Sequence, residues 1–226
     1  MTLRRQQEIR NVARERLCAF WRKRPEIWPS PPDADTFFPV QPDVFVRSVL
    51  GIELLEPDHI ESDNGDSEVA GKMNRTLRQI VIAQKFTSEY QRFTAAHEIG
   101  HWVLHTDALL FRDKLLSGGE RANQGRPVVE READLFAAEF LMPEKIVRER
   151  FAFAFGDTIG GSDPRLEFLQ LSRPHLSLST LSADLRRRSW FIAEVGPLGL
   201  AQPLHKQFGV STVAMAIQLE YFGLVV

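Results

Sequence analysis

Apolar residues recur at helical spacing in some blocks of the chain and cluster in short runs in others. Ile9, Val12, Leu17, Phe20 and Trp21, with Arg and Glu between them, predict an amphipathic helix over 3–23. The prolines at 25, 29, 31, 32, 39 and 42 predict an extended connector, because proline cannot continue a helix and restricts the residue before it. A short helix over 43–50, stopped by Gly51, and a strand from Ile52 to Leu55 should follow. The polar stretch 58–68 reads as an exposed turn around Asn64-Gly65, and the β-branched run Arg78 to Ala83 as a strand. Helical spacing returns from Ser88 to His105. Residues 107–127, with Gly118, Gly119, Gly125 and Pro127, read as a loop holding a short helix at 108–116. Residues 128–141 are strongly helical and 144–155 continue as helix. The run Ser189 to Val195 reads as a strand. Pro203 to Val226 gives two helical blocks separated at Gly209-Val210-Ser211.

Length and composition narrow this picture. The chain has 226 residues, 43% of them hydrophobic and 26% charged, which suits a folded domain with a real core and excludes a disordered or fibrous chain. A net charge of −2 argues against a protein built to coat nucleic acid. The single cysteine, Cys18, excludes an internal disulfide and fits a reducing cytoplasm. The charged start MTLRRQQEIR has no apolar stretch after it and predicts no secretory signal. No apolar run reaches the roughly 18 residues that a membrane span needs, so no membrane association is expected. The expected organisation is a basic helix with its proline-rich connector over 1–37, a core over 38–150, an extra segment over 151–202 and a helical tail over 203–226.

The candidate chemistry lies at His97-Glu98-Ile99-Gly100-His101. Residues i and i+4 of a helix stand on one face, so both imidazoles can reach one metal ion. Zinc suits neutral imidazole nitrogens. Glu98 projects beside the metal, where it can take a proton from a zinc-bound water and pass it to a leaving amine. This is the H-E-x-x-H signature of zinc peptidases. Phe93, Ala96, Gly100, Val103 and Leu104 around it predict a buried helix, where unpaired ionisable groups are costly.

A hydrolytic zinc site needs a third protein ligand. Ala133, Phe136, Ala137, Phe140 and Leu141 define the apolar stripe of the helix over 128–141. At about 100° per residue, Glu130 lies roughly 60° from Ala133, at the edge of that stripe. Glu132 and Glu139 fall on the other side and should face solvent. Glu130 is therefore the expected third ligand and Glu132 the alternative. Asp134, one turn after Glu130, is placed to accept a hydrogen bond from a ligand histidine. His105, one turn past His101, should support the site or be structural. His59, His175 and His205 stand alone and gain no role.

The runs Arg92 to His105 (RFTAAHEIGHWVLH) and Glu130 to Pro143 (EREADLFAAEFLMP) resemble the ImmA/IrrE family of zinc metallopeptidases. Asp134 stands where that family often has Asn, and Phe140 where Leu is common. The stretch 38–55 looks like the family's helix–strand unit before the catalytic core, and 208–225 like its helix-turn-helix-like tail. The resemblance implies an α+β, zincin-like metallopeptidase core, with a small sheet packed on the helix of His97 and the helix of Glu130 closing the site. It implies zinc held by His97, His101 and Glu130, with Glu98 as general base. Manganese or iron would also suit a His/His/Glu donor set. It further implies cleavage or inactivation of a helix-turn-helix repressor, and so a role in transcription regulation.

Two other readings compete. In one, the chain is a non-catalytic regulatory module that sequesters a protein partner or contacts DNA through its basic N-terminal helix or its tail. In the other, the same chemistry serves a toxin–antitoxin or defence circuit.

Overall fold

Thr2 opens the first helix, α1 (Leu3–Arg22), its hydroxyl accepting from the Arg5 amide at 3.3 Å. A computed structural model describes residues 1–30, 39–61, 69–106, 110–114, 126–170, 177–195 and 202–226. These fall into two compact units, Met1–Leu141 and Met142–Val226. The expected turn at Asn64-Gly65, the glycines at 118, 119 and 125, residues 31–38 of the proline-rich connector and His175 lie outside the described residues.

In the first unit α1 buries Ile9, Ala13 and Phe20. Two one-turn helices follow, α2 (Arg24–Ile27) and α3 (Pro42–Phe45). The second runs into a π-helical turn, Val46–Leu50, which Gly51 ends with φ at +61°, a left-handed conformation that glycine takes without steric cost. Strands β1 (Glu53–Leu55), β2 (Val69–Asn74), β3 (Gln79–Ile82) and β4 (Leu110–Lys114) form one sheet in the order β1-β3-β2-β4. β1 runs parallel to β3, pairing Leu54 with Ile80, and the other pairings are antiparallel.

Helix α4 (Ser88–Leu104) packs on β2 and β3, and α5 (Val128–Leu141) packs on α4. α5 is also the helix against which α1 lies. Phe45, Phe136 and Phe140 are fully buried between these elements, with Phe45 edge-on to Phe140 at 4.9 Å between ring centroids. Arg75, in the turn after β2, closes the other end of α4. Its guanidinium donates to the Trp102 carbonyl at 2.7 Å, one of the carbonyls that a helix end leaves without a partner in the helix. A small sheet against long helices makes the class α+β and is compatible with a zincin-like core.

Three expectations are corrected. The described part of the stretch expected as a helix at 108–116 is a strand: Leu110–Lys114 is β4, its backbone paired with β2. Ser189 to Val195 is not a strand. It lies mostly in helix α9 (Leu185–Glu194), which starts where the Asp184 carboxylate accepts from the Arg187 amide; a short buried apolar run has no periodicity to separate the two. Glu132 and Glu139 do not face solvent. Both are buried, because α5 has a neighbour on two sides and these residues meet α1.

The second unit is helical. It contains α6 (Glu144–Phe155), α7 (Arg165–Gln170), α8 (Leu178–Ala183), α9, α10 (Leu204–Phe208) and α11 (Thr212–Tyr221). α9 packs on α11 around buried Phe191, Ile192, Met215 and Leu219. The buried Arg188 guanidinium donates to the carbonyls of Leu181, Ser182 and Val226 at 2.7, 2.9 and 2.5 Å, tying α8 and the last described residue to α9. Among the described residues, no helix is long and apolar enough to cross a membrane.

Candidate metal centre

The site is built where α4 and α5 approach most closely. Gly100 makes that approach possible. A β-carbon there would stand 3.1 Å from the Ala133 Cα and 3.3 Å from the Phe136 Cβ. Small residues at both positions let the two backbones close up, and side chains one turn away on each helix then meet. His97 and His101 are each about 1% exposed. Their Nε2 atoms lie 3.0 Å apart. Glu130 presents Oε2 at 3.2 Å from His97 Nε2 and Oε1 at 3.4 Å from His101 Nε2.

These separations are those of a coordination polyhedron. Tetrahedral bonds of zinc length, about 2.0–2.1 Å, place neighbouring ligand atoms about 3.3 Å apart. Two imidazole nitrogens and one carboxylate, with their donor atoms all within 4.8 Å of one another, therefore fit a divalent cation of the zinc class. Glu132, the alternative ligand, lies outside this cluster and is held by Arg5 and His105.

Electrostatics agree with the geometry. Burial lowers the pKa of His101 and so favours the neutral ring that a metal requires. Burial alone would raise the Glu130 carboxyl. Hydrogen bonds to His101 and His97 outweigh it and hold the group well below the usual carboxylate range, so Glu130 stays charged.

A second layer orients the donors. With Nε2 of His97 given to a metal, its ring proton would sit on Nδ1 and donate to Asp134 Oδ1, 2.9 Å away. Arg126 donates to Asp134 Oδ2 at 2.7 Å and to Glu130 Oε2 at 3.3 Å. His101 Nδ1 lies 3.0 Å from His105 Nδ1, and His105 Nε2 lies 3.1 Å from Glu132 Oε2. Arg5 holds Glu132 with two donors, Nε at 2.9 Å and Nη2 at 2.7 Å, and this pairing lowers the Glu132 pKa and raises that of Arg5.

Glu98 is fully buried on the β2 side of α4. Gly71 of β2 lies against it. A β-carbon at Gly71 would come within 2.4 Å of Thr94 Cγ2 and 2.9 Å of Glu98 Oε1.

The structure thus brings together His97, His101, Glu130 and Asp134 and places His105 behind His101. Sequence reasoning missed Arg126, Arg5 and Gly71. Arg126 carried a signal, since it precedes Glu130 by four residues and Asp134 by eight, the spacing of one helix face. Arg5 and Gly71 act across the fold and carried none.

Comparison with known proteins points the same way. Residues 48–157 match the family of IrrE N-terminal-like domains, Peptidase_M78. The chain is 41% identical over 85 residues to the radiation response metalloprotease IrrE of Deinococcus radiodurans. That alignment takes in 35% of this chain and 23% of the relative's length. The two matches and the His/His/Glu cluster agree on a metallopeptidase-like domain within 48–157, similar to those of the ImmA/IrrE family.

Proposed function

We propose that this chain is a zinc metallo-endopeptidase acting on a flexible segment of a protein. The observation that carries the reading is the convergence of His97, His101 and Glu130 at ligand spacing, with Glu98 fully buried on the same helix as the two histidines. Zinc there would polarise a peptide carbonyl and make a water molecule nucleophilic near neutral pH. The chain supplies the rest. His97, His101 and Glu130 hold the cation, and Asp134 and His105 fix the two imidazole rings. Glu98 accepts the proton from the attacking water and delivers it to the departing amine. Gly71 and Thr94 set where that carboxylate sits.

The substrate we propose is a helix-turn-helix transcriptional repressor, and the place of action the cytoplasm, consistent with a single thiol. We read the α10–α11 pair, joined through Gly209-Val210-Ser211, as the helix-turn-helix-like tail. Direct DNA contact gains little from either candidate surface. α11 (TVAMAIQLEY) carries no basic residue. On α1, Arg5 and Arg14 are engaged by Glu132 and Glu139.

Metal analysis beside two kinds of variant tests the reading. About one zinc per chain, lost in His97→Ala and Glu130→Ala, is expected. Glu98→Gln should keep the metal and any repressor bound while cleavage disappears. A chain that takes up no zinc when supplied with it defeats the proposal and leaves the partner-binding module. Regulation that persists unchanged in Glu98→Gln would do the same.

A further inference from the structure

We propose that Arg5 of the N-terminal helix is a positioning residue of the metal centre, acting through Glu132 and His105 on the ligand His101. The inference rests on the metal-site reading above and adds to it an element outside the segment matched by the family.

When His101 gives Nε2 to a metal ion beside His97 and Glu130, its remaining hydrogen sits on Nδ1. That N–H points at His105 Nδ1, 3.0 Å away, which must then be the acceptor. His105 therefore carries its own hydrogen on Nε2, and this donates to Glu132 Oε2 at 3.1 Å. A carboxylate can only accept there, and Arg5 can only donate to it. The hydrogen bonds from His101 through His105 run outward to the Glu132 carboxylate, and Arg5 donates to that carboxylate from the far side.

The other ligand histidine has the same design in a shorter form. His97 Nδ1 donates to Asp134, which Arg126 holds at 2.7 Å. Both lines end in an arginine. For His101 the carboxylate stands one imidazole further out, and the arginine comes from a different part of the chain.

Partners of this kind fix the orientation of a ligand ring and raise its basicity. The side chains of the line are enclosed: His101, His105 and Glu132 are 1%, 10% and 9% exposed. The two-donor grip of Arg5 sets the plane of the Glu132 carboxylate and leaves its Oε2 facing His105. Without that grip, Glu132 can rotate, His105 loses its fixed tautomer, and His101 loses its orienting acceptor.

A plainer role for Arg5 would be to dock α1 on α5. The molecule contains its own control. Arg14 pairs with Glu139 at 2.8 Å between the same two helices, two turns further along α5.

Zinc affinity, measured by competition with a chromophoric chelator on the full chain, separates the two roles. Arg5→Ala and Glu132→Gln should each weaken zinc binding, by about 10-fold for Glu132→Gln. The double variant should be no weaker than Glu132→Gln alone, since both act through one line. Arg14→Ala should leave the affinity within error of the wild type while lowering the melting temperature. Glu132→Gln keeps side-chain volume and gives a folded variant should Arg5→Ala fail to fold. Wild-type affinity in both Arg5→Ala and Glu132→Gln overturns the proposal and leaves the metal centre standing. Equal loss in Arg5→Ala and Arg14→Ala overturns it too, in favour of helix docking. A wild-type chain that binds no zinc overturns the metal-site reading and the proposal with it.

Discussion

Gly100 sits between the two histidines and decides whether the site can form. Replacing it with alanine puts a β-carbon 3.1 Å from one backbone atom of Ala133 and 3.2 Å from another, so α4 and α5 must separate. Overpacking of this kind costs about 1–3 kcal/mol. A Gly100→Ala chain should therefore melt lower and bind zinc more weakly, which calorimetry and chelator competition would show. Gly71→Ala should act differently. Its β-carbon would meet Thr94 and Glu98 rather than a ligand, so peptide cleavage should fall more than zinc affinity. At this scale the sequence was informative where chemistry repeats locally. The spacing of His97 and His101 and the stripe phase of Glu130 needed only helix geometry. Gly71 could not be foreseen, because its importance arises from α4 crossing a strand whose sequence, VAGKMN, has little strand character.

Helices and strands were legible wherever one face was apolar and the other wet. α1, α4 and α5 satisfy that condition in part. α5 breaks it on the side of Glu132 and Glu139, because those acids are covered by α1 and neutralised by its arginines. One helix alone reveals its apolar stripe, and does not reveal a charged stripe matched by a distant partner. Removing such a match should be felt. Arg14→Ala leaves the nearly inaccessible Glu139 short of a charged donor, and about 1 kcal/mol of stability should be lost after allowance for the partial exposure of Arg14. In the second unit, Asp163 accepts from the Arg165 amide at 2.9 Å and from its guanidinium, which carries on to the carbonyls of Asp157 and Thr158. The hydrogen bond from the Arg165 side chain holds the Asp163 carboxyl below its ordinary value. A depressed carboxylate stabilises the fold above the unfolded pKa, about 4, and ceases to do so as pH falls through its lower folded value. Wild type and Asp163→Asn should differ in melting temperature at neutral pH and converge in acid. A difference that persists at low pH would show that the ion pair is not its source.

Over the whole molecule, a cation bound only by the folded site must raise stability by mass action. At a free zinc concentration 100 times the dissociation constant the gain is about 2.7 kcal/mol. Differential scanning calorimetry with and without zinc should show this shift in the wild type and none in His97→Ala. The two-helix site could be read from the sequence because it depends on strong local periodicity, and the α+β class followed from the family resemblance. The division after Leu141 could not, because it follows from which elements pack together, and the sequence reading ran the core on to 150.

The pairing of α1 with the acids of α5 also sets a limit on dissection. The segment that matches the family, 48–157, contains Glu132 and Glu139 and omits Arg5, Arg14 and the apolar stripe of Ile9, Ala13 and Phe20. A fragment cut at those boundaries would carry every proposed ligand. It would also expose the back of α5, with two carboxylates deprived of the arginines beneath which they are buried. The span that sequence comparison recognises therefore leaves out α1, the helix that covers this side of α5.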